Sequence, residues 1–286
     1  MRVSIILSTY NQPQWLEKVL WGYAFQTYSN FEIIIADDGS GPETFKVIKR
    51  FREESGLCIK HVWHRDRGYQ KCRILNKAVK SSETEYLIFS DGDCIPHRNF
   101  VMTHVTNATE QTFLSGGAIR LPKHTSLVIT QTDIKNGNAF DVYWLIKHGL
   151  PDNPLKNLKL VSTEHGFDRL LNSITPAKAT WNGGNASTWK SHILEANGFD
   201  ERMLYGGQDR EFGERLINMG IKGKQLRYSA ICVHLDHSRA YKNTTSIEKN
   251  LAIRKETREL KKTWTEKGIV ETPFYVYESK SDHIRI

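Results

Sequence analysis

The chain has 286 residues, 39% of them hydrophobic and 25% charged, with a formal net charge of +8. This is an ordinary composition for a soluble globular protein, large enough for one α/β domain or two small ones with an ample core. No run reaches the ~18 apolar residues of a membrane span, and the excess positive charge favours anionic partners such as nucleotide phosphates or a membrane surface. Cys58, Cys72, Cys94 and Cys232 are scattered without metal-type pairing. They suggest reduced thiols in a cytosolic compartment. The first residues enter a strand directly, so we expect no signal peptide.

Val3–Ser8 reads as a strand that ends in Thr9-Tyr10-Asn11, and Pro13 suits the first turn of the helix carrying Trp15, Leu16, Val19 and Leu20. A second strand, Phe31–Ala36, closes on Asp37-Asp38-Gly39-Ser40, and Pro42 opens a helix with Phe45, Ile48 and Phe51 on one face. Leu57–Trp63 alternates as a third strand. Gly68–Ser81 is expected to be helical, with Ile74, Leu75, Ala78 and Val79 inward and Lys71, Arg73 and Lys77 elsewhere. The stretch from Tyr86 to Phe89 reads as a strand buried on both faces that runs into Asp91-Gly92-Asp93.

In extended backbone, residues i and i+2 point to the same side, so Asp91 and Asp93 converge, and Gly92 allows a sharp turn between them. Two converging carboxylates repel unless a cation or basic groups lie between them. A hard divalent ion with oxygen ligands meets that need and keeps positions open for phosphates. Short alternation of strand and helix predicts a mostly parallel sheet with right-handed crossovers, whose ligand lies beyond the carboxyl ends of the strands. Asp38, Asp91 and Asp93 all map to that edge. One acidic turn is commonplace; three acids at one sheet edge point to a site.

Beyond Pro96, Phe113–Arg120 looks like a strand containing Gly116-Gly117, while residues 123–175 are polar and poorly periodic and read as an insertion or mobile loop. Order returns at Trp181-Asn182-Gly183-Gly184-Asn185, at Asn197-Gly198-Phe199-Asp200, and at Gly206-Gly207-Gln208-Asp209 before a helix with Phe212, Leu216 and Ile217. Ala230–His234 is a late strand.

With these pieces in order, residues 3 to about 238 resemble the inverting glycosyltransferases of family 2 with the GT-A fold, and the second half looks like a galactosyltransferase-type module. The resemblance rests on Ser8-Thr9-Tyr10-Asn11, Asp37-Asp38-Gly39-Ser40, Arg73, Asp91-Gly92-Asp93, Gly183-Gly184-Asn185, Gly198-Phe199-Asp200 and Gly206-Gly207-Gln208-Asp209. It implies an α/β domain over 1–238, with a nucleotide-sugar half at 1–95, an acceptor half at 96–238 and a basic helical extension at 239–286. It gives Thr9, Tyr10 and Asp38 to the base of a UDP-sugar, Arg73 to the nucleotide or diphosphate, and Asp91 to the ribose. Asp93 would bind Mn²⁺ (or Mg²⁺) at the diphosphate, with His234, and His237 as runner-up, completing the metal shell. Asp209 would be the general base. Gly183, Gly184, Asn185, Tyr205 and Gln208 would shape the acceptor pocket. The last two depart from the family's Trp and Glu, which puts the acceptor's identity in question.

The expected reaction is metal-dependent, inverting transfer of a sugar, galactose or N-acetylgalactosamine, from a UDP-sugar to a hydroxyl of a glycan or lipid-linked glycan in surface polysaccharide synthesis. Nucleic acid is not expected as a partner. The alternatives are a nucleotidyltransferase, which also uses paired acids at strand ends, and a non-catalytic glycan-binding protein on the same fold. A final helix over 246–267 carries Ile247, Leu251, Leu260 and Trp264. The segment 239–267 holds nine Lys or Arg against four Asp or Glu. That combination suggests peripheral attachment to an anionic membrane, or simple packing on the catalytic domain.

Overall fold

The structure, a computed structural model, describes residues 1–238 and 243–271, together with the backbone of 277–279 and 283–285. Residues 239–242 and most of the last fifteen positions of the expected C-terminal extension lie outside the described residues. The first half runs β1 (Val3–Thr9), α1 (Pro13–Ala24), β2 (Phe31–Asp37), α2 (Pro42–Glu54), β3 (Ile59–Trp63), α3 (Lys71–Ser81), β4 (Tyr86–Asp91), β5 (Cys94–Pro96) and α4 (Phe100–Asn107). It continues through β6 (Thr112–Arg120), α5 (Lys123–Val128), α6 (Gln131–Asn136), α7 (Val142–Lys147), α8 (Pro154–His165) and α9 (Asp168–Ile174). The remainder is β7 (Asn185–Trp189), α10 (Lys190–Glu195), α11 (Gln208–Asn218), β8 (Lys222–His234), α12 (Thr244–Glu259), β9 (Tyr277–Ser279) and β10 (His283–Arg285).

The strands form one sheet in the order β5-β8-β6-β7-β4-β1-β2-β3-β10-β9. β3, β2, β1 and β4 are parallel, so their carboxyl ends share one edge. β7 enters antiparallel beside β4 and carries β6 and β8 with it. Every residue of β1 is buried, as expected of a central parallel strand covered on both faces. One core layer takes α1, α2, α4 and the apolar residues of α6 to α8; the opposite layer takes α3, α10 and α11.

Residues 123–175 are not a loose insertion. They form five short helices whose Ile134, Leu145 and Leu160 join the first core layer, with Ile129 from the turn after α5. Each helix is six to twelve residues long, and Gly137, Gly149 and Gly166 (φ between +75° and +107°) interrupt the run. No 3.6-residue pattern persists long enough to be read from sequence. β8 also extends further back than Ala230, because its first three residues, Lys222–Lys224, are exposed and polar. The Gly116-Gly117 pair marks a bulge against β8. A Cβ at Gly117 would stand 2.1 Å from the Arg227 carbonyl oxygen, and one at Gly116 would occupy the place of the Asn185 side chain.

α12 ends at Glu259, and Lys261 adopts φ +50°, so Leu260 and Trp264 are not on the helix as the sequence reading expected. The helix instead docks on α11 through polar contacts. Asn250 Nδ2 donates to the Leu204 and Gly206 carbonyls, Thr257 Oγ1 to Glu211, and Arg254 pairs with Glu214 at 2.6 Å. The chain then returns beneath Asn197-Gly198-Phe199-Asp200, where Thr265 Oγ1 donates to Asp200 Oδ2 at 2.9 Å.

Asp200 is 1% exposed and holds Arg202 in a fork, with Nε and Nη2 at 3.0 and 2.6 Å. Burial opposes its charge, but the Arg202 hydrogen bonds override this and keep its carboxyl below the ordinary 3.8. A depressed pKa stabilises the folded chain above the unfolded value and loses that contribution as pH falls through the folded one. Asp200→Asn is therefore expected to lower unfolding free energy by about 2 kcal/mol at pH 7. The deficit should shrink as pH falls below the ordinary carboxylate value of 3.8, which urea titrations at pH 7 and in that acid range would measure.

Candidate active site

The shared strand edge opens into a cleft of about 680 Å³ lined from both halves of the chain. On one wall, β1 delivers Thr9 and Tyr10. The Thr9 hydroxyl is buried with no partner among the described residues, and Tyr10, 43% exposed, donates to Asp66 at 2.9 Å. β2 ends in two acids with different fates. Asp37 turns inward to His61 and the Ser40 amide, whereas Asp38 lines the cleft. Asp38 Oδ1 lies 2.7 Å from His64 Nε2, and its Oδ2 accepts from the Gln70 amide at 2.9 Å. His64 was not singled out in the sequence; it follows a strand whose end could not be aligned with Asp38 without the sheet register.

β4 carries Asp91 to the floor. Its Oδ1 accepts from Ser8 Oγ and from Lys71 Nζ, both at 2.6 Å. Burial works against the Lys71 ammonium, yet Asp91, with Tyr69 and Asp93 behind it, raises its pKa and keeps it charged. Lys71 replaces Arg73 as the basic group at this position. Arg73 does not line the cleft and instead faces Glu201 at 3.6 Å. Two residues along a helix separate side chains by about 200°, so only one of the pair can face the cleft. α3 begins at Lys71, three residues later than expected, and that placement decides which one does.

Asp93 faces the opposite flank. The pairing of β5 with β8 sets Cys94 against His234 and brings His234 Nε2 to 3.8 Å from Asp93 Oδ1. His237 Nε2 is nearer, at 3.0 Å from Oδ2. Burial raises the Asp93 pKa, but the His237 hydrogen bond and the charges of His234 and His237 bring the net direction down. Ligand atoms of Asp93, Cys94 and His234 all lie within 4.8 Å of one another. A carboxylate with adjacent imidazoles fits a divalent ion of the Mn²⁺ type. The Cys94 thiol is the weakest of the three as a ligand. Its hydrogen bond to Cys232 and its burial push its pKa well up, away from thiolate.

From the second half, the Asn182–Gly184 turn packs directly on Asp91; a Cβ on Gly184 would stand 2.9 Å from Asp91 Oδ2. Gly183 and Gly184 line the cleft, but Asn185 does not. Asn185 is fully buried, with its amide donating to the Gly117 and Ala230 carbonyls and its Oδ1 3.0 Å from His104 Nε2. It is the first residue of β7, facing the bulge that Gly116 and Gly117 leave open, so its role is to hold the sheet together. α11 starts after Gly206 and Gly207, whose φ values of +109° and +88° strongly favour glycine. That turn presents Asp209 in the first helical turn, with the Gly183 amide 3.4 Å from its Oδ2 and its own helix's Arg210 amide 2.8 Å from Oδ1. Gln208 and Tyr205 line the same wall.

A carboxyl-edge cleft with acids at the ends of β2 and β4, closed by a second half that supplies one more acid, is the arrangement of a GT-A-type glycosyltransferase. Residues 4–157, just over half the chain, match the Glycosyl transferase family 2, and the chain belongs to that family. It is 29% identical over 240 residues to a chondroitin synthase of Escherichia coli, covering 76% of this chain and 32% of that protein. Among solved structures, Staphylococcus aureus TarS 1–349 in complex with UDP aligns with 91% of this chain and 68% of its own, at 16% identity and a TM-score of 0.58. A Pyrobaculum calidifontis mannosyltransferase in complex with GDP-mannose and Mn²⁺ aligns with 91% and 62%, at 19% identity and a TM-score of 0.55. The chain thus spans about a third of the chondroitin synthase's length. Family membership sets aside the nucleotidyltransferase alternative. The family match ends at residue 157, ahead of the motifs at 183–209, so the galactosyltransferase-type likeness there rests on those sequence motifs alone.

If Asp93 and its histidines hold a divalent ion, Mn²⁺ added to the protein should lose its free-ion paramagnetic resonance signal. Asp93→Ala should restore that signal, and His237→Ala should restore part of it.

Proposed function

We propose that this chain transfers a hexosyl group from a UDP-sugar, with inversion at the anomeric carbon, to a hydroxyl of a glycan or lipid-linked glycan. The observation that carries the reading is the position of Asp209 in the same cleft as Asp91 and Asp93, but on the wall supplied by the other half of the chain. Inversion needs the base and the leaving group on opposite sides of the reacting carbon, and the supply of these acids by different halves of the chain supports that reading. The complexes of TarS with UDP and with UDP-GlcNAc support the choice of nucleotide.

In this reading Thr9, Tyr10 and Asp38 receive the base, and Asp91, held by Ser8 and Lys71, faces the ribose and diphosphate. Asp93, His234 and His237 are the residues that would hold Mn²⁺ or Mg²⁺. A bound ion there supplies Lewis-acid neutralisation of the departing diphosphate. Lys71 adds a fixed positive charge on the same flank. Asp209 accepts the proton of the acceptor hydroxyl as the new carbon–oxygen bond forms. The bond from the anomeric carbon to the phosphate oxygen breaks, and its electron pair leaves on UDP. The donor sugar we favour is galactose or N-acetylgalactosamine, from the motifs of the second half, and a panel of UDP-sugars assayed for turnover with Mn²⁺ tests it. Surface polysaccharide synthesis is the setting that the chondroitin synthase relative supports.

Peripheral membrane attachment enters this reading only through the basic residues around α12, several of which are engaged within the protein. Arg254 and Arg258 are engaged on Glu214 and Lys262 on Glu256. Ile247 packs beside Gly206. No helix among the described residues is long and apolar enough to cross a membrane.

Asp209→Asn is expected to lose a factor of about 10²–10⁴ in turnover, the span of a positioned proton acceptor. UDP affinity by calorimetry should stay within about twofold. Normal transfer by this variant, or loss of UDP binding, would remove Asp209 from the role.

A further inference from the structure

α9 turns its polar face to the protein and its apolar face to solvent, and none of its residues is buried. Asp168 accepts a hydrogen bond from Ser229 Oγ, and Asn172 Nδ2 donates to the same oxygen at 2.6 Å. The Tyr228 amide donates to Asn172 Oδ1 at 3.1 Å. On the other side, Phe167, just before the helix, is 58% exposed, Leu170 58% and Ile174 63%. These three share one helical stripe. A two-residue step turns a side chain by about 200°, which sets Leu170 opposite Asp168 and Ile174 opposite Asn172. Single exposed apolar residues are commonplace; a stripe of three turned away from a polar dock marks a contact surface.

The surroundings are cationic. Residues 167–180 and 222–228 hold Arg169, Lys178, Lys222, Lys224 and Arg227, against Asp168 alone. Gln225 Nε2 donates to the Lys178 carbonyl at 3.1 Å, so the segment after α9 lies on the start of β8. Arg169, Lys178, Lys222 and Lys224 are exposed, and none forms an ion pair among the described residues. The basic face of α12 differs, because Glu214 holds Arg254 and Arg258 there.

We propose that the outward face of α9 docks the protein on an anionic lipid bilayer. Phe167, Leu170 and Ile174 enter the interface, and the surrounding lysines and arginines meet headgroup phosphates. Two arguments select a bilayer over a second copy of the chain. Three side chains of this size offer roughly 300–400 Å², well short of the ~800 Å² per partner of a stable complex. A self-complementary contact would also set the same cations against one another. An interfacial helix needs only a short apolar stripe, because attraction to anionic headgroups adds to it. Such attachment is reversible and weakened by salt. Residues 175–181 lead from α9 into the cleft wall. The Thr180 carbonyl accepts from Ser115 Oγ, and its hydroxyl accepts from Arg210, the neighbour of Asp209, both at 2.8 Å. Docking through α9 therefore brings the wall that carries Asp209 towards lipid-borne substrates.

The test is sedimentation of the full chain with vesicles of equal parts phosphatidylglycerol and phosphatidylcholine, and with phosphatidylcholine alone, at low and high salt. Binding is expected to the mixed vesicles at low salt only. Leu170→Ser combined with Ile174→Ser should weaken it at least about tenfold. Arg169→Gln combined with Lys178→Gln should weaken it by a similar factor, whereas Lys249→Gln with Lys255→Gln on α12 should not. All of these side chains are exposed, and unchanged far-ultraviolet circular dichroism checks that the variants fold. Undiminished binding by the α9 variants, equal binding to neutral vesicles, no binding to anionic ones at low salt, or equal loss in the α12 pair would each overturn the proposal. So would a lipid-free dimer that the Leu170 and Ile174 changes dissolve, since that assigns the face to a second copy. No arm of the test uses UDP or a sugar, so its outcome is independent of the transferase reading.

Discussion

The structure turns on electrostatic repulsion among carboxylates at one sheet edge. Parallel strands place their carboxyl ends together, so Asp37, Asp38 and Asp91 arrive as neighbours whether or not the fold needs them there. Each is matched by a group from another element: His61 for Asp37, His64 and the Gln70 amide for Asp38, Lys71 and Ser8 for Asp91. Asp93, just beyond β4, is matched by His234 and His237. The arrangement at Asp37 is closed by the protein, while Asp38 is held by His64 and the Gln70 amide and still lines the cleft. At Asp91 and Asp93 the partners sit to one side and leave the carboxylates facing the cleft. That asymmetry separates acids that build the loop from acids that can bind a cation and a diphosphate.

The second constraint is how the chain brings a base to the other wall without disturbing the first sheet. β7 enters antiparallel next to β4, and Trp181, fully buried, packs against Phe89, Phe113 and Phe212 with centroids 4.8–5.9 Å apart. These contacts link β4, β6 and α11 in one aromatic cluster. A Cβ on Gly213 would stand 2.6 Å from the Trp181 Cβ, so α11 can approach this closely only with glycine there. Asp209 is thus placed by a helix whose packing is fixed by the same strand that carries Asp91. α12 backs the turn before Asp209 through Asn250, so the basic segment that looked like an appendage in sequence supports the active-site wall.

The parallel half was legible because its signals are local: buried apolar runs, prolines at helix starts, and acids at strand ends. Asp38, Asp91, Asp93 and Asp209 all reach the cleft as expected. What could not be read depends on helix phase and on long-range register. Lys71 and Arg73 are both basic residues of α3, and only the point at which the helix starts decides that Lys71 meets Asp91. Asn185 reads as a pocket residue beside two glycines, yet the bulge at Gly116-Gly117 draws it into the sheet. The short helices of 123–175 carry real core residues but too few turns each to show a period.

The account's central claim is that the Asp91–Asp93 edge is a joint site for a divalent cation and a nucleoside diphosphate. Calorimetric titration of UDP into the protein, with Mn²⁺ and again with EDTA, tests it most directly. The account predicts binding with Mn²⁺ that weakens at least about tenfold, or about 1.4 kcal/mol, when the ion is removed. Equal UDP affinity in both conditions would contradict it.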